Sequence, residues 1–194
     1  MPRAVRMRID EAPPPRWAEH PAPEPLTLLQ GFANTHAYSG RPDHLATATS
    51  AHRWLRQHGV AGVVTTRDLP RLTAAREAIR DHLRGHDLRH TSPTTPRPLE
   101  HSLPRVTFTW SHAHDTIALI GTGHGLERFL NDLAAAIVSA SLTGVWRQLK
   151  VCSNDECSVA FWDHTKNGSA RYCSAAGCAN RSRQRAFRAR TLHS

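Results

Sequence analysis

Residues 152–190 read CSNDECSVAFWDHTKNGSARYCSAAGCANRSRQRAFRAR and hold all four cysteines of the 194-residue chain. Cys152 and Cys157, then Cys173 and Cys178, form two equally spaced pairs in the pattern C-x4-C-x15-C-x4-C. Two short knuckles joined by a loop bring four thiolates to the corners of a tetrahedron, the closed coordination that structural Zn2+ prefers. The spacing therefore predicts one structural zinc ion and a metal-built module at this end of the chain. A segment of about 45 residues seldom builds a sufficient apolar core alone, and a metal supplies what is missing. Two disulfides are the competing reading, and they belong to an oxidising compartment.

The rest of the sequence bears on that choice. Residues 1–25 carry Pro13, Pro14, Pro15, Pro21, Pro23 and Pro25 among scattered charges, without the apolar stretch of a secretory signal, and read as a flexible proline-rich leader. The longest apolar runs, Ile117 to Ile120 and Leu133 to Val138, fall well short of the roughly 20 residues needed to cross a bilayer. The expectation is a soluble cytoplasmic chain with no membrane partner, in which thiols stay reduced and bind zinc.

The formal charge is +9, which favours a polyanionic partner. Only Lys150 and Lys166 are lysines, and the abundance of arginine, alanine, proline and histidine suggests a GC-rich coding background. Distribution must therefore carry the argument. Asn180 to Leu192 read as a helix whose first turn follows the last cysteine. At 100° per residue Arg181, Arg185 and Arg188 line one face as a comb, while Arg183 and Arg190 flank the apolar face and are placed to add backbone contacts. Ala179, Ala186 and Phe187 fall on the far side, which is expected to pack on the zinc module. Such a comb suits DNA phosphates or guanine edges. A solvated basic surface, one that balances the charge of a Zn(Cys)4 centre, or one that meets an acidic protein explains the same residues.

Upstream the fold class reads as α+β, mainly helical with a β-hairpin, over a domain spanning 26–147, with the finger at 148–194. Leu26, Leu29, Phe32 and Ala33 have helical spacing, as do Trp54 and Leu55 behind Ser50 as N-cap. Asp68 is placed to cap a third helix carrying Leu69, Leu72, Ile79 and Leu83. The composition of 86–104 marks a surface loop. Val106, Phe108 and Trp110 alternate with polar residues, His112 to Asp115 form a turn, and Thr116 to Ile120 return. Gly121, Gly123 and Gly125 lead into an amphipathic helix ending near Gly144, and 145–151 resemble a short strand.

The C-terminal segment resembles the CGNR zinc-finger family. Phe161, Asp163, Asn167, Arg171, Tyr172 and Cys173 fall in step with its motif, which closes on Cys178, Asn180 and Arg181; Ala179 stands where the family has glycine. The stretch LLQGFANTH, followed by Asp43, Leu45, Trp54 and Leu55, resembles the ABATE domain that commonly precedes this finger in bacteria. Together the resemblances imply a stress-responsive transcriptional regulator, with a DNA-binding finger and an N-terminal domain that senses a small molecule or mediates assembly. Phe161, Asp163, Asn167, Arg171 and Asn180 are expected to hold the finger together, with Arg171 as the partner of Asp163.

No catalytic set stands out. A zinc closed by four sulfurs keeps no position for water, and His164 is not needed as a ligand. The fourteen histidines are scattered, and the glycine spacing matches neither the dinucleotide nor the P-loop pattern. No nucleophile with a base and no paired carboxylates appear, so an enzyme is not expected. Asn34 and Thr35 are the most notable upstream polar pair, and they serve either as the lining of a ligand pocket or as hydrogen bonds between elements.

Overall fold

The computed structural model describes residues 20–87, 99–103, 107–113 and 116–191. Val106, Asp115, Leu192 and most of the proline-rich leader lie outside them. The helices are α1 (Leu26–Ala33), α2 (Ala48–Gln57), α3 (Leu69–Arg84), the single turn α4 (Leu99–Ser102), α5 (Gly125–Leu142) and α6 (Asn180–Thr191). Two antiparallel hairpins accompany them: β1 (Phe108–Ala113) with β2 (Thr116–Gly121), and β3 (Leu149–Val151) with β4 (Ala160–Trp162). The mixed α+β class with a small tetracysteine module is the one expected.

Local chemistry explains several boundaries. Helix α2 starts at Thr47 rather than Ser50: the Thr47 hydroxyl accepts from the Ser50 amide at 3.1 Å while the Ser50 hydroxyl accepts from the Thr47 amide at 3.2 Å, a reciprocal capping box. Asp68 precedes α3 as expected, but its carboxylate turns back to accept from the Thr65 amide and hydroxyl at 2.8 and 2.7 Å. In the first hairpin Ala113 pairs with Thr116, so His112 and Ala113 belong to the strand rather than to the expected turn. Trp110 on this hairpin is 64% exposed. Gly121 is needed for close approach, since a Cβ there would meet the Asp132 amide nitrogen of α5 at 2.5 Å. The 145–151 segment is a 3-10 turn (Trp146–Gln148) followed by β3, not one strand.

Helix α1 lies at the centre. Leu26, Leu29, Phe32 and Ala33 are fully buried between α3, α5 and β4, and Phe32 meets Phe129 of α5 edge-to-face at 5.2 Å. The same core continues into the C-terminal segment through Leu149, Val151 and Ala160, so β3 and β4 sit on the helices rather than apart from them. A second small cluster, of Cys152, Cys157, Val159, Phe161 and Cys178, forms on the other side of β4. This division puts the metal module against the helical core. Among the described residues no helix is long and apolar enough to cross a membrane.

Candidate metal centre

The first knuckle is shaped by Asn154, whose carbonyl accepts from the Cys157 and Ser158 amides at 2.8 and 2.9 Å. Ser158 leaves the turn with φ of 48°, and Cys152 pairs back across it to the Val159 carbonyl at 2.8 Å. The second knuckle begins at Ser174, whose hydroxyl accepts from the Gly177 amide at 3.0 Å and opens a single π-helical turn, Ala175–Ala179. That wide turn carries Cys178 inward and passes directly into α6. Ala179, where the family motif has glycine, does not have positive φ; its amide donates to the Ser174 carbonyl at 3.0 Å, so an alanine is accommodated.

The four Sγ atoms all lie within 4.8 Å of one another. Cys157 and Cys173 are 3.6 Å apart and Cys173 and Cys178 3.7 Å. A disulfide needs about 2.05 Å, whereas the edge of a tetrahedron with Zn–S bonds of about 2.3 Å is about 3.8 Å. The sulfurs are thus spaced as zinc ligands, not as bridges. Without a metal the thiols compete for protons: hydrogen bonds from Cys152 and Cys173 hold Cys157 well below the ordinary thiol value, while Cys152 is pushed up by its bond to Cys157 and Cys173 by its bonds to Cys152 and Cys157. Four crowded thiols do not all ionise unaided, and a divalent cation makes them do so. Cys152, Cys157 and Cys178 are buried and Cys173 half-buried, which leaves a closed site. His164 is not in the cluster; it packs edge-on to Trp162 and His20.

The surrounding residues differ from expectation in an instructive way. Asp163 is buried, but its partner is Lys150, whose Nζ donates to Oδ2 at 2.8 Å and also to the Gly168 and Ala170 carbonyls. The other carboxylate oxygen accepts from the Thr165 amide and hydroxyl at 2.9 and 2.6 Å. Arg171 instead donates to Asp87 at 3.0 Å, at the end of α3, and its carbonyl accepts from Ser153 in the first knuckle. Phe161 is buried against the cysteines, whereas Asn167 and Asn180 are exposed.

Asn34 and Thr35 are both buried. Asn34 clamps β4, donating to the Ala160 carbonyl at 2.9 Å and accepting from the Ala160 amide at 2.7 Å. Thr35 donates to the Phe32 carbonyl at 2.8 Å. These side chains are spent on hydrogen bonds between and within elements rather than on a pocket wall. Sequence reasoning missed Arg80, which is 2% exposed and bridges the two regions. Its guanidinium donates to the Ala33 carbonyl, to His36 Nδ1 and to the Ser158 carbonyl, each at 2.9 Å. Burial, then the Arg80 charge, holds His36 down at about 4, so its imidazole is neutral and accepts. An arginine at the helical spacing of Leu72, Ile79 and Leu83 was the available signal.

Helix α6 is turned over relative to expectation. Arg181 donates to Cys178 Sγ at 3.2 Å, and Arg185 pairs with Glu156 at 2.8 Å and donates to Asn154. The comb therefore faces the finger, α6 buries no residue, and Phe187 is 63% exposed. Electrostatics decides this: a Zn(Cys)4 centre carries a net charge of about −2, and the Glu156 carboxylate adds to the pull on the arginines. Arg183, Arg188 and Arg190 are exposed.

Residues 148–191 match the family model of the CGNR zinc finger. With the sulfur geometry, the match supports a zinc-finger segment in which Cys152, Cys157, Cys173 and Cys178 are placed to hold one structural zinc ion. No curated protein matches the chain.

Proposed function

We propose that the chain is a zinc-dependent DNA-binding protein, a transcriptional regulator whose finger meets duplex DNA through α6. The observation that carries this reading is charge segregation: after Asp163 the chain has six arginines and Lys166 and no acidic side chain. Five of those arginines lie on α6, which buries nothing and is mounted on the zinc by Cys178 at its entrance. Zinc acts here as a mount, fixing the helix so that its cations meet phosphates in one geometry. The helices upstream, which resemble the ABATE domain, supply ligand sensing or assembly in this reading.

A second reading is a protein-contact module in which the zinc and its arginines serve structure alone. The internal pairing of Arg181 and Arg185 favours it for those two residues. Selection of bound duplexes from a random pool by the zinc-loaded chain separates the two, with Cys178→Ser as control. Recovery of a motif by the native chain alone is expected. A native chain that retains no duplex at low salt leaves the protein-contact reading in its place.

A further inference from the structure

Where the end of α3 meets the finger there is a cavity of about 320 Å³, at the small end of the range for ligand sites. Three parts of the chain wall it: His86 and Asp87 just past α3, Arg147 of the 3-10 turn, and Lys150, Asn167 and Arg171 of the finger. Hydrogen bonds between these parts pin the wall in place. His86 Nδ1 donates to the Leu149 carbonyl at 2.8 Å, and Asp87 Oδ2 accepts from Ser153 Oγ and Arg171 Nε, both at 3.0 Å.

The charges on the wall are unequally committed. Lys150 is balanced by Asp163. Arg171 spends Nε on Asp87, while its two Nη groups hydrogen-bond to no described residue. The side chains of Arg147 and Asn167 are exposed and form neither a hydrogen bond nor an ion pair among the described residues. His86, pushed down to about 4 chiefly by burial, is neutral and adds no charge. The cavity therefore keeps one uncompensated cation, Arg147, together with the unused donors of Arg171 and Asn167.

We propose that this cavity binds a small phosphorylated molecule by its phosphate group, with Arg147 and Arg171 as the main donors and Asn167 as a third. The proposal goes beyond the DNA-binding reading and does not depend on it. Its ligand class follows from the donor set. A phosphate group presents three strong acceptor oxygens, and guanidinium forks match them bidentately. A carboxylate, with two oxygens, uses fewer of these donors, and an apolar ligand would leave them desolvated and unpaired. Phosphates of the DNA backbone are met by side chains on open surface, whereas a recess of this volume takes in a whole small molecule. A ligand held there joins the turn after α5 to the finger, so its binding adds to the stability of the folded chain.

The test titrates inorganic phosphate, then ribose 5-phosphate, into the full zinc-loaded chain by calorimetry, with chloride at matched ionic strength as the blank. One site is expected, with a Kd of about 1 mM for inorganic phosphate and a lower one for the ester, and Tm rises as either concentration passes its Kd. Arg147→Ala weakens both about tenfold or more. Because the Arg147 side chain pairs with nothing among the described residues, zinc content and phosphate-free Tm of this variant match the native chain. Asn167→Ala weakens binding by a smaller factor. Arg53→Ala on α2, outside the cavity, removes the same charge and keeps the native affinity.

Phosphate binding that survives Arg147→Ala, or that falls equally in Arg53→Ala, overturns the proposal. So does a native chain with no saturable binding of either probe up to about 10 mM. A duplex arm separates a small ligand from a DNA phosphate: Arg147→Ala is expected to keep the native log–log salt slope, and a slope flattened by about 0.9 assigns Arg147 to the DNA backbone and overturns the small-ligand site. The phosphate titration needs no DNA, so a chain that retains no duplex refutes the function proposed above while this site stands or falls on its own measurement.

Discussion

Replacing Asp163 by asparagine isolates the energetics of the finger's buried ion pair without touching a zinc ligand. The substitution keeps shape and removes charge. Lys150 and Asp163 have side chains only 5% and 0% exposed, so the ammonium left behind cannot be rehydrated in place. Its two carbonyl acceptors, Gly168 and Ala170, remain, but they carry no compensating charge. The amide NH2 of asparagine would face Nζ or turn to face the Thr165 donors, and either orientation opposes donor to donor. Breaking a buried pair on one side costs about 3–5 kcal/mol. For a chain of this size that corresponds to a fall in Tm of about 6–20 °C.

The assay is thermal unfolding at pH 7 followed by circular dichroism, with zinc content measured in parallel so that metal loss is seen separately. Burial alone would raise the Asp163 carboxyl, but Lys150, Thr165 and Ala170 hold it below its ordinary value of 3.8. A depressed folded value means that the contribution is complete above about pH 4 and lost as pH falls through that folded value. The gap between native and Asp163→Asn chains is therefore constant from pH 7 to about 5 and closes only in stronger acid. A variant that melts within about 2 °C of native at pH 7 refutes the buried-pair argument.

Two further outcomes follow from the same geometry. Asn34→Ala removes both hydrogen bonds to Ala160, leaving its buried amide unpaired and its carbonyl with only the 3.5 Å bond from Gln30, a loss of about 1–3 kcal/mol in denaturant unfolding; a change below about 0.5 kcal/mol would contradict the clamp. Cobalt substituted for zinc gives the intense visible absorption of a tetrahedral tetrathiolate, one ion per chain. Its affinity rises with pH, because Cys152 and Cys173, both pushed up, surrender protons on binding. Retention of that spectrum by Cys173→Ser would exclude Cys173 from the ligand set.

The parts of the molecule legible in the sequence were those whose cause is local. Four cysteines at fixed spacing declare a metal because the knuckles are built from adjacent residues, and α1, α3 and α5 declare themselves through long apolar periods. The extent of the β3–β4 hairpin was harder to place because three-residue strands carry no period: β3 was read within one strand over 145–151, whose first part is a 3-10 turn. Partners at a distance were misassigned for a related reason. Arg171 stands eight residues from Asp163 and looked like its counter-ion, yet Lys150, on the neighbouring strand, has the buried position, while Arg171 reaches Asp87 of the helical region. The face of α6 was inverted because a helical wheel weighs apolar against polar and knows nothing of the sulfur-rich, anionic surface beneath. For Asn34 the sequence left a pocket and inter-element hydrogen bonds both open, because its partner Ala160 lies far along the chain.

The continuity of the core through Leu149, Val151 and Ala160 reaches beyond the finger. Where a metal module shares its apolar wall with the helices, the ion becomes a ligand of the native state of both. Its binding free energy then adds to the folding of α1 and α3, by RT ln(1 + [Zn]/Kd), or about 1.4 kcal/mol for each tenfold rise in free zinc above Kd. Removal of zinc is therefore expected to lower the stability of the helices along with that of the finger.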